Sequence, residues 1–167
     1  MERDQPVPPL SLEQMEPRTD AIEPLRAIKA AGYLLIATTN QPGLSDGTLS
    51  RRELDRMHSV LSQMFCLDDF FICPHSAEDG CPCRRPQPGL ISEAAFKWHI
   101  NLEHSYVLSN KWQDARAAHN AGCTSVMITS PWIGKGHHDI VLAKIADLPK
   151  KISQLQPSSR GVSQLVR

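Results

Sequence analysis

One stretch constrains this chain more than any other: Cys73-Pro74-His75-Ser76-Ala77-Glu78-Asp79-Gly80-Cys81-Pro82-Cys83, followed at once by Arg84-Arg85-Pro86-Gln87-Pro88-Gly89. It gathers three of the five cysteines and one histidine into a segment too short to bury them separately. Cys73, His75, Cys81 and Cys83 are soft or borderline ligands. Three thiolates and one imidazole suit tetrahedral Zn2+ and fill all four of its positions. A closed set leaves no position for water, so the expected ion is structural. Gly80 and Pro82 let the segment fold back on itself. The competing reading is a surface loop with chance cysteines or a disulfide. If a metal sits here, it fixes the place of two guanidinium groups, those of Arg84 and Arg85.

The rest of the chain is neutral overall, with 18 basic and 18 acidic residues among 167. That balance gives no electrostatic grip on nucleic acid or an anionic membrane. No apolar run approaches the roughly twenty residues of a membrane span, and the N-terminus lacks a secretory pattern. Together with the cysteine usage this reads as a soluble protein of the reducing cytoplasm, with Cys66 and Cys123 as buried thiols.

Residues 1–17, rich in proline, read as an extended N-terminal arm. The spacing of Ile22, Leu25 and Ile28 predicts a helix over 18–31 that stops at Gly32. Tyr33 to Ala37 reads as a strand buried on both faces, and Pro42-Gly43 begin a loop. A capping box at Ser50 and Glu53 opens a helix that buries Leu54, Met57, Leu61 and Met64. Strands are expected at 70–72, 106–108, 125–129 and 140–142. Helices are expected at 90–99, with Ala94, Ala95 and Trp98 inward, then at 113–121 and 148–155. Residues 156–167 read as a disordered tail.

Alternating strands and helices imply right-handed β-α-β units, hence an α/β domain over 18–155 with a Rossmann-like three-layer parallel sheet. Ligands in such folds bind beyond the carboxyl ends of the strands. Thr39, Asn40 and Gln41 end one strand, Asn110, Lys111 and Asp114 follow another, and Arg84 and Arg85 leave a third. These residues are expected to converge on one crevice, where hydroxyl, amide and cationic groups would hold phosphate oxygens. Asn110 and Asp114 offer oxygens for a magnesium ion. His137 and His138 are adjacent rather than spaced for one helix face and read as a solvated loop. Trp98, Trp112 and Trp132 read as packing residues rather than a base-stacking platform.

Together, Thr39-Asn40-Gln41-Pro42-Gly43, the Cys73/His75/Cys81/Cys83 loop and Cys83-Arg84-Arg85-Pro86-Gln87-Pro88-Gly89 resemble the haloacid dehalogenase (HAD) superfamily. The likeness is to its zinc-loop branch of heptose-bisphosphate and histidinol-phosphate phosphatases. It covers roughly residues 18–155, with the zinc loop at 73–83. It implies Mg2+-dependent hydrolysis of a phosphorylated sugar through an aspartyl phosphate. By the same resemblance Thr39 holds the phosphoryl group, Arg85 stands where the family has lysine, and Lys111 with Asp114 belongs to the fourth motif.

The departures shape the expectation. The first motif, an Asp-x-Asp pair after a central strand, has no counterpart before Thr39, and the resemblance would put it upstream of Met1. The sheet is therefore expected to lack its central first strand, so that its neighbours close up, another segment fills the gap, or the polypeptide is a fragment. Asn110 stands in place of an aspartate, leaving a degenerate magnesium site. With no catalytic nucleophile assigned, hydrolysis is expected to be very slow or absent. Two other readings stay open: a non-catalytic sugar-phosphate-binding or partner protein, and a zinc-stabilised interaction module.

Overall fold

A strand buried on both faces cannot satisfy its backbone through water, so each apolar run in this sequence needs a parallel neighbour and covering helices. The computed structural model, which describes residues 8–155, supplies both. Five strands, β1 (Ile36–Asn40), β2 (Asp69–Cys73), β3 (Tyr106–Ser109), β4 (Thr124–Ile128) and β5 (Ile140–Leu142), pair only in parallel. Helices α1 (Ile22–Ala30), α2 (Gly43–Asp46), α3 (Arg51–Phe65), α4 (Gly89–Trp98), α5 (Trp112–Ala121) and α6 (Leu148–Leu155) connect and cover them. The tail expected over 156–167 and the first seven residues of the arm lie outside the described residues.

Two local readings change. The first strand begins three residues later than its apolar run suggests. Asp68 holds the residue before it, accepting from Leu35 N–H at 2.7 Å and donating its own N–H to Leu35 O at 2.7 Å. Pairing then starts at Ile36↔Asp69 and carries Thr38, Thr39 and Asn40 into the ladder. The Pro42-Gly43 segment, expected as a loop, forms the short helix α2 after Pro42, whose φ of −61° is already helical.

The capping box at α3 is half realised. Ser50 Oγ accepts from Glu53 N–H at 3.1 Å, but the Glu53 carboxylate turns outward to accept from Leu12 N–H at 2.7 Å. That bond ties the N-terminal segment to α3, where Leu12 and Met15 pack on Leu49, Leu54 and Met57. A 3-10 turn at Leu12–Gln14 interrupts the arm expected to be extended.

The strands form two sheets instead of one: β1–β2, and β3–β4–β5. Within the described residues the outer edges of β1 and β3 pair with nothing. They face each other across a groove of about 640 Å³, walled by Ile36, Ala37 and Thr38 on one side and Tyr106, Val107 and Leu108 on the other. Of the outcomes expected for this sheet, closing up of β1 on β3 is therefore not what the described residues show. Helices hold the halves together instead: α4 packs on both β2 and α5, and α1 packs on both α3 and α6. The largest core lies under the three-stranded sheet, where Val126, Ile128, Ile140 and Leu142 meet Ile28, Leu148 and Ile152.

Asp69 fixes α4 to β2. Its Oδ2 accepts from Lys97 Nζ and Trp98 Nε1, each at 2.7 Å. Burial opposes its charge, yet these two donors and the Phe70 N–H outweigh it and hold the carboxyl below its usual range. A depressed folded pKa gives stability that is complete above the unfolded carboxyl range, near pH 4, and fades as pH falls below it. Asp69→Asn is expected to cost about 1–2 kcal/mol at neutral pH and to flatten the acid limb of the stability profile. Thermal melts between pH 2 and 7 that superimpose on wild type would refute this.

Candidate functional site

β2 ends inside the core at Cys73, whose side chain is fully buried among Phe71, Leu90 and Ala94. From there the chain makes a tight excursion and returns Cys81 and Cys83 to the same point. Cys73 Sγ lies 3.7 Å from His75 Nδ1 and 3.6 Å from Cys81 Sγ. Cys83 Sγ lies 3.2 Å from that imidazole nitrogen and 3.4 Å from Cys81 Sγ. A tetrahedral ion with bonds of 2.0–2.3 Å needs ligand atoms about 3.5–3.8 Å apart, close to these separations. A disulfide needs sulfurs about 2.05 Å apart, so all five cysteines are free thiols and the disulfide reading falls.

The thiols also show what they lack. Burial and neighbouring sulfurs push Cys83 up to about 12. Cys81 is brought down to about 7, where hydrogen bonds from Cys83, Cys73 and backbone amides override its desolvation. A crowded set that stabilises one thiolate at the expense of the next is electrostatically matched to a cation. The residues present fit zinc.

The loop is braced from outside. Arg84 Nη1 donates to His75 O at 2.8 Å, and Gln41 N–H donates to Cys73 O at 2.7 Å. Gly89 N–H donates to Pro82 O at 3.0 Å, an approach so close that a Cβ on residue 89 would lie 2.3 Å from that oxygen. Gly89→Ala must therefore move backbone, and we expect a loss of about 2–3 kcal/mol with weakened metal retention. An unchanged melting temperature would contradict it.

Arg85 leaves this braced loop through a cis Arg85–Pro86 peptide and enters the mouth of the groove. Its Nη1 lies 3.2 and 3.3 Å from the two carboxylate oxygens of Asp114, in the first turn of α5. Asp114 also accepts from Ser109 Oγ at 2.6 Å. Lys111 is half-buried at the same place, its pKa lowered first by burial and then by Arg85, with Asp114 opposing. Arg85 thus pairs with Asp114 beside Thr38 and Asn40, with the Lys111 ammonium under the influence of both charges.

The expected convergence holds in part. Arg85, Asp114 and Asn40 line the crevice, and Lys111 lies near enough to feel the charges of Arg85 and Asp114. Thr38, which sequence reasoning passed over, lines its wall, while the Thr39 hydroxyl accepts from Gln41 Nε2 at 3.3 Å. The period-2 alternation of β1 was the available signal. Gln41 itself is buried, and Arg84 spends a donor on the metal loop. Asn110 is held through its backbone carbonyl, which accepts from Ser130 Oγ at 2.6 Å.

The donor set for magnesium fits poorly. Among the described residues no group of three carboxylate, histidine or cysteine ligands lies at this crevice. Asp114, the carboxylate present, is already engaged by Arg85 and Ser109. No helix among the described residues is long and apolar enough to cross a membrane.

Comparison with known proteins agrees with this architecture. The HAD-hydrolase-like family matches residues 82–149. D-glycero-β-D-manno-heptose-1,7-bisphosphate 7-phosphatase of Pasteurella multocida is 31% identical over 152 residues, covering 81% of this chain and 83% of the relative. The enzyme of the same description from Bordetella bronchiseptica is 31% identical over 118 residues, covering 68% of this chain and 63% of the relative, less than two thirds of its length. The crystal structure of D,D-heptose 1,7-bisphosphate phosphatase from B. bronchiseptica, complexed with magnesium and phosphate, superposes with a TM-score of 0.77 at 25% identity. That superposition covers 87% of this chain and 88% of that one.

Proposed function

The chain belongs to the HAD-like family of D-glycero-β-D-manno-heptose-1,7-bisphosphate 7-phosphatases, and from that premise we propose that its crevice receives the phosphate group of a phosphorylated sugar. The observation that carries this reading is the Arg85 guanidinium at the crevice, paired with Asp114 and within electrostatic reach of the half-buried Lys111. Two partly desolvated cations facing a single negative charge leave a net positive site, which a phosphate ester balances. Arg85 offers a planar fork to two phosphate oxygens and Lys111 a point charge. Thr38 and Asn40 offer hydroxyl and amide donors beside them.

In this reading the zinc is structural. Cys73, His75, Cys81 and Cys83 would hold it, and the ion would supply rigidity to the segment that delivers Arg85. The reaction class is phosphate-monoester hydrolysis. A magnesium ion, where bound, supplies charge neutralisation at the phosphate in such reactions. Within residues 8–155 no free carboxylate stands at the crevice to attack phosphorus, since Asp114 accepts from both Arg85 and Ser109. The described residues are therefore equipped to bind and orient a phosphate ester, with turnover at or near background.

The test is to measure heptose bisphosphate binding by calorimetry and release of inorganic phosphate from the same ester and from an aryl phosphate. Binding without appreciable release supports the reading, turnover well above background refutes the inactivity, and no binding refutes the site. The pairing of Asp114 with Arg85 favours a second reading, a non-catalytic phosphosugar-binding protein, which the binding-without-release outcome would select.

A further inference from the structure

On the side of the molecule opposite the crevice, at the amino ends of β4 and β5, three metal-ligating side chains meet that neither the zinc loop nor the phosphate site uses. α5 runs back along the sheet, so its last turn brings His119 to this end. The connection from β4 to β5 returns His137 and Asp139 to the same place just before Ile140. His137 Nε2 lies 3.0 Å from Asp139 Oδ1, and the His119 and His137 rings stand edge to face with centroids 5.2 Å apart. One ligand atom from each of the three residues lies within 4.8 Å of the others. We propose that His119, His137 and Asp139 form a second metal site, a His2Asp set for a borderline divalent ion such as Zn2+ or Ni2+.

Three features support the assignment. Two imidazoles and a carboxylate are the donor types that select late first-row divalent ions, and three protein ligands with an open fourth position make a recognised zinc geometry. The carboxylate is already oriented. Asp139 Oδ2 accepts from Ser125 N–H at 2.8 Å and Ser125 Oγ at 2.7 Å, while Ser125 Oγ in turn accepts from Asp139 N–H at 3.0 Å. Those bonds turn the other oxygen, Oδ1, toward the histidines, as outer hydrogen bonds orient ligating carboxylates elsewhere. The two imidazoles are exposed, and closing ligand separations of up to 4.8 Å to the roughly 3.3 Å of a tetrahedral ion takes only side-chain rotation.

Binding here would tie the turn after β4 to α5, at a distance from the anion crevice and independently of it. Adjacent His138 takes no part: both its ring nitrogens are buried without a partner among the described residues. The expectation of a solvated loop therefore misses both the burial of the His138 ring nitrogens and the meeting of His137 with His119.

The test uses the full chain, carrying one equivalent of zinc in the cysteine loop, titrated with Ni2+ by isothermal calorimetry. One further ion per chain is expected, with affinity falling at least tenfold in His119→Gln and in His137→Gln while zinc content stays at one. Both substitutions are at exposed positions, so circular dichroism should match wild type. No uptake of Ni2+ by wild type, or equal uptake by both variants, would overturn the proposal.

Discussion

Cys83→Ser is expected to empty the zinc loop and lower the melting temperature by about 10–15 °C. Serine replaces a thiolate by a hydroxyl that stays protonated at neutral pH, so the fourth zinc position is lost. The loss reaches beyond one bond. Cys73, Cys81 and Cys83 belong to the same core cluster as Phe71, Leu90 and Ala94, so an unligated loop leaves buried polar atoms where the ion had drawn them together. A cost of about 3–5 kcal/mol follows, which for a chain of this size gives the stated shift. Metal analysis should fall from about one zinc per chain to a small fraction. Cys66→Ser, outside the cluster, should leave the zinc content unchanged. A wild-type protein that melts at the same temperature with and without a strong chelator would defeat this account.

Arg85→Ala is expected to weaken phosphate-ester binding by about 30- to 100-fold, corresponding to about 2–3 kcal/mol for a charge-assisted, two-point contact. Two effects add. The guanidinium fork is gone, and Asp114 loses its partner, so its charge turns from neutralised to repulsive toward the incoming phosphate. Arg85→Lys keeps the cation without the fork and should retain most of the affinity, within about tenfold of wild type. Calorimetry with a phosphosugar separates the three proteins, and near-UV circular dichroism confirms that the fold is intact. Equal affinity in Arg85→Ala and wild type would remove Arg85 from the site.

Much of this molecule is legible in the residues alone. The metal loop is the clearest case because ligand chemistry and spacing are local properties. The structure brings the four named side chains together, within the 3.2–3.7 Å range across the four measured pairs. α6 and the start of α3 are equally local, one set by apolar period and the other by Ser50. Less legible is whatever depends on partners distant in sequence. The start of β1 is decided by Asp68, thirty-three residues from Leu35, and the Glu53 carboxylate is drawn to Leu12 and Arg56 rather than back to the Ser50 N–H. The alternation of β1 separates Thr38 and Asn40 from Thr39, but which of the two faces turns to the crevice depends on what packs against the sheet. The meeting of His119 with His137 depends likewise on α5 running antiparallel to the strands.

The Arg85–Asp114 contact joins more than two side chains. Arg85 rides on the half of the molecule built from β1, β2 and the metal loop, and Asp114 on the half built from β3 and α5. Among the described residues no backbone ladder crosses between those halves. The ion pair is therefore a latch over the open end of the groove, and its bolt is the same guanidinium that a phosphate would claim. An anion bound by Arg85 would compete with Asp114 for that guanidinium, while the packing of α4 on α5 and of α1 on α3 and α6 still holds the two halves together.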